Sequence, residues 1–213
     1  MSNYAPRVKI CGITSYEDAR AACDAGADAL GFNFAVEAKK RGRYIAPDTA
    51  CDIIHRLPPF VCNVAVCVND SVENLLHYLT FADRVQLHGE ESVEVCASVA
   101  EKAIKAFRVA PGFRPDAMLE YPASAYLLDA WAPDAHGGTG MVFDWRIANA
   151  AKELGFPLIL AGGLTPENVA DAVRLVQPYA VDTAGGVENA PGKKDYVKVR
   201  EFVRNAKHAL SVS

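Results

Sequence analysis

Two reactive groups stand at the ends of apolar runs. Cys11 closes Val8-Lys9-Ile10-Cys11, and Asp129 closes Leu127-Leu128-Asp129. A thiol able to ionise and a carboxylic acid form a base and an acid suited to moving a proton between carbon and oxygen. Asn33, Asn63, Gln86, His88 and Arg108 take comparable strand-ending positions. Each alone also fits a satisfied structural polar group, and a cysteine in an apolar run is as readily a small buried hydrophobe. Several of them gathered on one rim would make a site.

The backbone offers a second kind of chemistry. Ala161-Gly162-Gly163-Leu164 and Ala184-Gly185-Gly186-Val187 each place a glycine pair ahead of a helical pattern. Backbone N–H groups exposed beside a helix N-terminus hold phosphate. Any tight turn wants a glycine, but two pairs in the last two loops favour a phosphorylated sugar as ligand. Lys39, Lys40, Arg41 and Arg43 form the sole basic cluster; such a run suits a solvated loop, with one member available to a ligand's anion. No H-x-x-H or H-E-x-x-H spacing supports a metal, Gly12 stands alone where a dinucleotide fingerprint needs three glycines, and there is no P-loop. Neither a metal nor a cofactor is expected.

These residues need elements to position them. Arg7 to Cys11 reads as a strand, Thr14 or Ser15 caps a helix to Ala25, Gly26 stops it, and Asp28 to Phe34 is a second strand. After a long basic loop from Ala35 to Ala46, Pro47 opens a helix to about Leu57. Phe60 to Val68, Arg84 to His88, Ala103 to Val109, Ala125 to Ala130, Pro157 to Ala161 and Ala180 to Thr183 are further strands. Helical stretches are expected from Ser71 to Leu79, Glu91 to Glu101, Arg114 to Glu120, Asp144 to Leu154, after Thr165-Pro166-Glu167 to Val176, and from Asp195 to Leu210. A loop with three glycines is expected from Trp131 to Val142. Phe60 to Val68 is almost wholly apolar and the pattern recurs, so both strand faces are covered, as in parallel sheets. Eight alternations predict an α/β fold, one (β/α)8 TIM barrel domain over residues 1–213, with an open doubly wound sheet as the alternative. In a barrel the strand C-termini converge on one face, which sets Cys11 and Asp129 facing each other across its mouth.

Bulk properties fit this. The 213 residues are 51% hydrophobic and 23% charged, enough for a large core, and the formal charge of −4 gives no pull toward nucleic acid or an anionic membrane. A small-molecule partner is expected. The six cysteines, at 11, 23, 51, 62, 67 and 96, lack zinc spacing and disulfide-scaffold density. Charges through the first thirty residues argue against a signal peptide, and no apolar span reaches membrane length. The expectation is a soluble cytoplasmic protein.

The chain resembles the phosphoribosylanthranilate isomerase family. The resemblance rests on Lys9-Ile10-Cys11-Gly12-Ile13-Thr14, Gly31-Phe32 with Arg43-Tyr44, Val85-Gln86-Leu87-His88-Gly89, Leu127-Leu128-Asp129, Gly137-Gly138-Thr139-Gly140 with Phe143-Asp144-Trp145, Leu160-Ala161-Gly162-Gly163-Leu164 with Pro166 and Asn168-Val169, and Gly186-Val187-Glu188 with Pro191-Gly192 and Lys194-Asp195. It implies an Amadori rearrangement of N-(5-phosphoribosyl)anthranilate, a step of tryptophan synthesis, with Cys11 as base and Asp129 as acid. It also implies Arg43 beside the anthranilate carboxylate, Gln86 and His88 as substrate contacts, and Gly162, Gly163, Ala184, Gly185 and Gly186 around the phosphate. A monomer or a homodimer is compatible with it. Where the family usually has two serines before the last loop's glycine, this chain has Ala184 and Gly185, which implies weaker phosphate binding or a shifted substrate. A histidine-pathway aminoaldose isomerase would use two aspartates, against Cys11. A silent phosphate-binding relative would bind ligand without turnover, and a barrel with a structural Cys11 would keep full activity as Cys11→Ser.

Overall fold

Eight short strands pair in chain order, all parallel, and close into a barrel. They are β1 Arg7–Cys11, β2 Ala29–Asn33, β3 Cys62–Cys67, β4 Arg84–Leu87, β5 Ala103–Val109, β6 Ala125–Ala130, β7 Leu158–Leu160 and β8 Ala180–Thr183. The computed structural model describes residues 5–130 and 145–211. The glycine-rich loop expected from Trp131 to Val142 and the expected helix start at Asp144 lie outside the described residues.

Strand parity divides the core in two. Alternate side chains point to opposite sheet faces. Val64, Ile104, Ala106, Ala125, Leu127, Ile159, Ala161 and Ala180 fill the barrel's inside. The other parity, including Val8, Ile10, Leu30, Phe32, Val85, Leu87, Leu128, Leu160 and Val181, packs outward against the helices. Strands covered on both sides must be apolar on both, which is why they read as continuous hydrophobic runs.

The outer layer is α1 Tyr16–Asp24, α2 Pro47–Ile54, α3 Val72–Tyr78, α4 Val93–Ser98, α5 Trp145–Lys152, α6 Val169–Val176 and α7 Tyr196–His208. Ser15 caps α1 by accepting from the Asp18 N–H, and Ser71 and Ser92 do the same for α3 and α4. On α7, Val199, Phe202, Val203 and Ala206 are buried, the i, i+3, i+4, i+7 stripe of an outer helix. The connection between β5 and β6 is not an α-helix but a 3-10 turn, Pro115–Glu120, and a second such turn, Val36–Arg41, occupies the basic loop. The helix expected to start at Thr165-Pro166-Glu167 begins at Val169. Asn168 explains the delay: its side chain accepts from the Thr165 N–H and donates to the Gly163 carbonyl, tying those residues into a turn. After β8 an antiparallel hairpin, β9 Glu188–Ala190 with β10 Lys193–Lys194, precedes α7.

Asn63 corrects a sequence expectation. It is the second residue of β3 and bonds Asp83 and the Val61 carbonyl, so it lies at the strand's start, away from the C-terminal rim. The apolar run around it extends on both sides, which hid where the strand begins.

A buried pair anchors the loop after β4. Lys105 donates to Glu91 at 2.6 Å and to the Gly89 carbonyl at 2.7 Å, while Glu91 also accepts from the Asn69 and Gly89 N–H groups. Burial works against the Glu91 charge, yet Lys105 and these N–H groups outweigh it and hold its pKa below the ordinary 4.5. A lowered folded-state value means stability that is present above pH 4.5 and lost as pH falls through the folded pKa. Lys105→Met strands a buried carboxylate; we expect a loss of about 3–5 kcal/mol in urea unfolding at pH 7, shrinking as Glu91 is protonated. A loss under about 1 kcal/mol, the range of an exposed pair, would refute this.

Candidate active site

The C-terminal rim of the barrel gathers most of the sequence-predicted residues. Cys11 ends β1 with its side chain on the inward face it shares with Lys9, two residues earlier. Its register partner on β2 is Gly31. A Cβ at that position would lie 2.7 Å from the Cys11 Sγ and 3.1 Å from the Lys9 Nζ, so only glycine leaves room for both groups. Lys9 in turn donates to Asp182, its register partner on β8, at 3.0 Å, and both are buried. Burial pushes the Cys11 thiol above its ordinary value, with Lys9 foremost among the charges pulling it back. Burial also works against the Lys9 charge, but Asp182 and the neighbouring sulfur prevail and hold its pKa above the ordinary lysine value.

Asp129, next to the end of β6, is about one-third exposed and faces the His88 Nε2 at 3.2 Å. The Gln86 amide nitrogen lies 2.8 Å from the His88 Nδ1. An amide N–H donating to Nδ1 leaves the neutral ring its proton on Nε2, aimed at the Asp129 carboxylate. Gln86 and His88 share β4's inward parity, so this chain crosses the rim toward β6. The Gln86 Oε1 is buried without a partner among the described residues.

The glycine loops after β7 and β8 touch each other. Thr183 donates its hydroxyl to the Leu164 carbonyl at 2.7 Å, and a Cβ on Gly186 would fall 2.0 Å from that same oxygen. Gly162 and Gly163 both adopt left-handed φ angles, +84° and +68°, and Gly185 opens the 3-10 turn Gly185–Val187. Ala184 precedes that turn. The five residues expected around a phosphate are therefore contiguous, with Gly186 required by the close approach.

Arg43 arches over this end of the rim. Its side chain packs on Gly12, and its Nη2 occupies the space that a Cβ on Gly185 would approach to 2.7 Å. Glu188 grips it with two bonds of 2.8 and 3.0 Å, and also accepts from Lys194 at 2.9 Å. Lys194 donates further to the Ala184 carbonyl at 3.1 Å. Burial lowers the Lys194 pKa from its ordinary value, Glu188 opposing and Arg43 reinforcing. The guanidinium is thus already paired on one edge.

The remaining rim candidates diverge. Asn33 accepts from the Ala35 N–H, a local turn, whereas Arg108 ends β5's inward face with an exposed side chain. Sequence reasoning assigned no role to Lys9, Asp182, Glu188 or Lys194. Lys9 carried a usable signal, because a lysine two residues before an inward cysteine is itself inward. Among the described residues no cluster of His, Cys, Asp or Glu has metal-binding geometry.

Residues 8–205 match the family model described as N-(5'phosphoribosyl)anthranilate (PRA) isomerase. The chain is 54% identical over 203 residues, 94% of its length and 98% of the relative's, to the N-(5'-phosphoribosyl)anthranilate isomerase of Geobacter metallireducens. It superposes with TM-score 0.80 and 40% identity, covering 95% of this chain and 98% of the other, on a phosphoribosyl anthranilate isomerase in complex with reduced 1-(o-carboxyphenylamino)-1-deoxyribulose 5-phosphate. Monomers generated from the dimeric Thermotoga maritima enzyme align with TM-score 0.79 and 38% identity, covering 95% and 98%.

Proposed function

We propose roles for the rim residues from one premise: the chain belongs to the N-(5'-phosphoribosyl)anthranilate isomerase family, and is an isomerase of tryptophan biosynthesis. The substrate is N-(5-phosphoribosyl)anthranilate, and the reaction an Amadori rearrangement to 1-(2-carboxyphenylamino)-1-deoxyribulose 5-phosphate. Asp129 protonates the furanose ring oxygen, and the ring opens to a Schiff base. Cys11, as thiolate, takes the C2′ proton. The resulting enolamine tautomerises to the ketone, so atoms are rearranged without net gain or loss. His88, held by Gln86, orients the acid and contacts substrate. Arg43 binds the anthranilate carboxylate with the edge of its fork that Glu188 leaves free.

The observation that carries this reading is the shared rim: an ionisable thiol ending β1 and a carboxylate near the end of β6, beside adjoining glycine loops after β7 and β8. Those loops supply backbone N–H groups to the 5-phosphate. Turnover of freshly generated phosphoribosylanthranilate, followed by loss of anthranilate-type fluorescence, tests it directly; a folded chain without turnover would sink it.

Ala184 and Gly185 withhold two hydroxyls from that phosphate. One added hydrogen bond to a charged group contributes about 1.5–3 kcal/mol, so Ala184→Ser should lower KM by roughly tenfold or more at unchanged kcat. Steady-state kinetics check this, and an unchanged KM would count against Ala184 at the phosphate. Gly185→Ser must first displace the Arg43 guanidinium, so its benefit should be smaller.

The partner is a small phosphorylated molecule rather than nucleic acid, as the formal charge of −4 favours. The chain works as a monomer or homodimer in the cytoplasm. Six free cysteines support a reducing compartment, and no helix among the described residues is long and apolar enough to cross a membrane.

A further inference from the structure

Lys9 and Asp182 are buried inside a barrel otherwise filled by Val64, Ile104, Leu127 and Ile159. A well-packed apolar pair of similar volume is commonly as stable as a buried ion pair or more so. Stability alone is therefore a poor reason for two charges here. Their placement suggests another. They are direct register partners across β1 and β8, and Lys9 shares its strand face with Cys11. One point, the missing Cβ of Gly31, lies 3.1 Å from the Lys9 Nζ and 2.7 Å from the Cys11 Sγ. The ammonium is bonded to the carboxylate and lies on the same side of Gly31 as the sulfur.

We propose that Lys9, held by Asp182, is a positioning residue that stabilises the thiolate of Cys11 and so sets the pH range in which the base is armed. This rests on Cys11 acting as the base. Among the described residues the charges around the sulfur are few. On β1 there is Lys9, on β8 Asp182, and on β10 Lys194. Arg43 and Glu188 lie over the neighbouring Gly12 and Gly185, β2 contributes only Gly31, and His88 and Asp129 stand across the mouth. Lys194 is already shared between Glu188 and the Ala184 carbonyl, and Arg43 is paired with the same Glu188. Lys9 is the cation placed to follow the sulfur's charge. With the thiol protonated its charge is balanced by Asp182; with the thiolate formed, the ammonium is shared between sulfur and carboxylate. When Cys11 takes the C2′ proton the balance returns to Asp182. Lys9 keeps its own proton throughout.

The test uses Lys9→Met and Asp182→Asn in the full chain. Two readouts are taken against pH: kcat/KM, and the rate at which iodoacetamide alkylates Cys11, resolved from the other cysteines by peptide mass spectrometry. Removing an opposite charge at such range moves a pKa by roughly one to three units. We expect Lys9→Met to shift both Cys11 profiles to higher pH by that amount, with activity partly recovered on raising pH. Asp182→Asn should shift them to lower pH, because the sulfur becomes the ammonium's only counter-charge. Opposed shifts are a signature that mere loss of packing does not give. Profiles unmoved in Lys9→Met, or moved the same way in both variants, would overturn the proposal. Should Lys9→Met fail to fold with Asp182 left unpaired, the double variant Lys9→Met/Asp182→Leu removes both members of this pair, and its alkylation profile must still move to higher pH. Alkylation reads the thiol whether or not it is the base. If it shifts as expected while Cys11→Ser retains full turnover, Lys9 tunes the sulfur and the base assignment is what fails.

Discussion

Asp129→Asn lowers kcat by ~10²–10⁴-fold with KM little changed, the value of a general acid in proton transfer. The reasoning is geometric. Asparagine matches aspartate in shape, and its carbonyl can still accept from the His88 Nε2 that now lies 3.2 Å from the carboxylate. Position and substrate contacts survive; what disappears is a proton that can be given to the ring oxygen. A loss confined to the transition state lowers kcat and kcat/KM together. The fluorescence assay under saturating substrate measures it, and a loss smaller than about tenfold would remove Asp129 from the acid role.

Cys11→Ser should be as severe, ~10²–10⁴-fold in kcat, since a serine hydroxyl is far harder to ionise than a thiol in the same dry position. The pH profile separates this from a packing effect. Burial holds the Cys11 thiol above its ordinary value of 9.0. A base works only when deprotonated, so wild-type kcat/KM should climb with pH throughout the neutral and mildly alkaline range, still rising at pH 9, whereas residual activity in Cys11→Ser should not follow that climb. A wild-type profile flat from pH 6 to 9, or a serine variant with full activity, would mark Cys11 as structural.

Much of the barrel was legible because its strands obey one rule. Being covered on both faces, β1, β3, β5 and β8 are mostly apolar on both, with Lys9, Lys105 and Asp182 as buried charged exceptions, and β5 and β8 begin and end where composition places them. The misread places are those where apolar composition carries no boundary. Asn63 sits inside such a run, and only pairing with β2 and β4 shows that β3 starts beside it. The turn at Thr165-Pro166-Glu167 has the composition of a helix start, but Asn168's side chain captures it first. At the site, Cys11, Asp129, Gln86, His88 and the glycine pairs are readable because a barrel sends strand ends to one rim. Glu188 and Lys194 are not, since their grip on Arg43 and Ala184 arises from a hairpin that no local pattern announces. Lys9 stands between these cases: parity turns it inward, but nothing local reveals that Asp182, 173 residues away, will meet it.

That separation also bears on biosynthesis of the chain. The pair lies on the seam where the first strand meets the last, so a nascent polypeptide exposes Lys9 and Cys11 long before Asp182 exists. Until β8 emerges and the ring is sealed, Lys9 lacks its carboxylate and the thiol lacks the second wall of its pocket, so it behaves as an exposed cysteine on an unfinished sheet. Truncated or stalled products therefore leave this thiol open to alkylation. Ring closure buries the thiol and raises its pKa, so a fall in its alkylation rate makes the sulfur itself a reporter of completed folding.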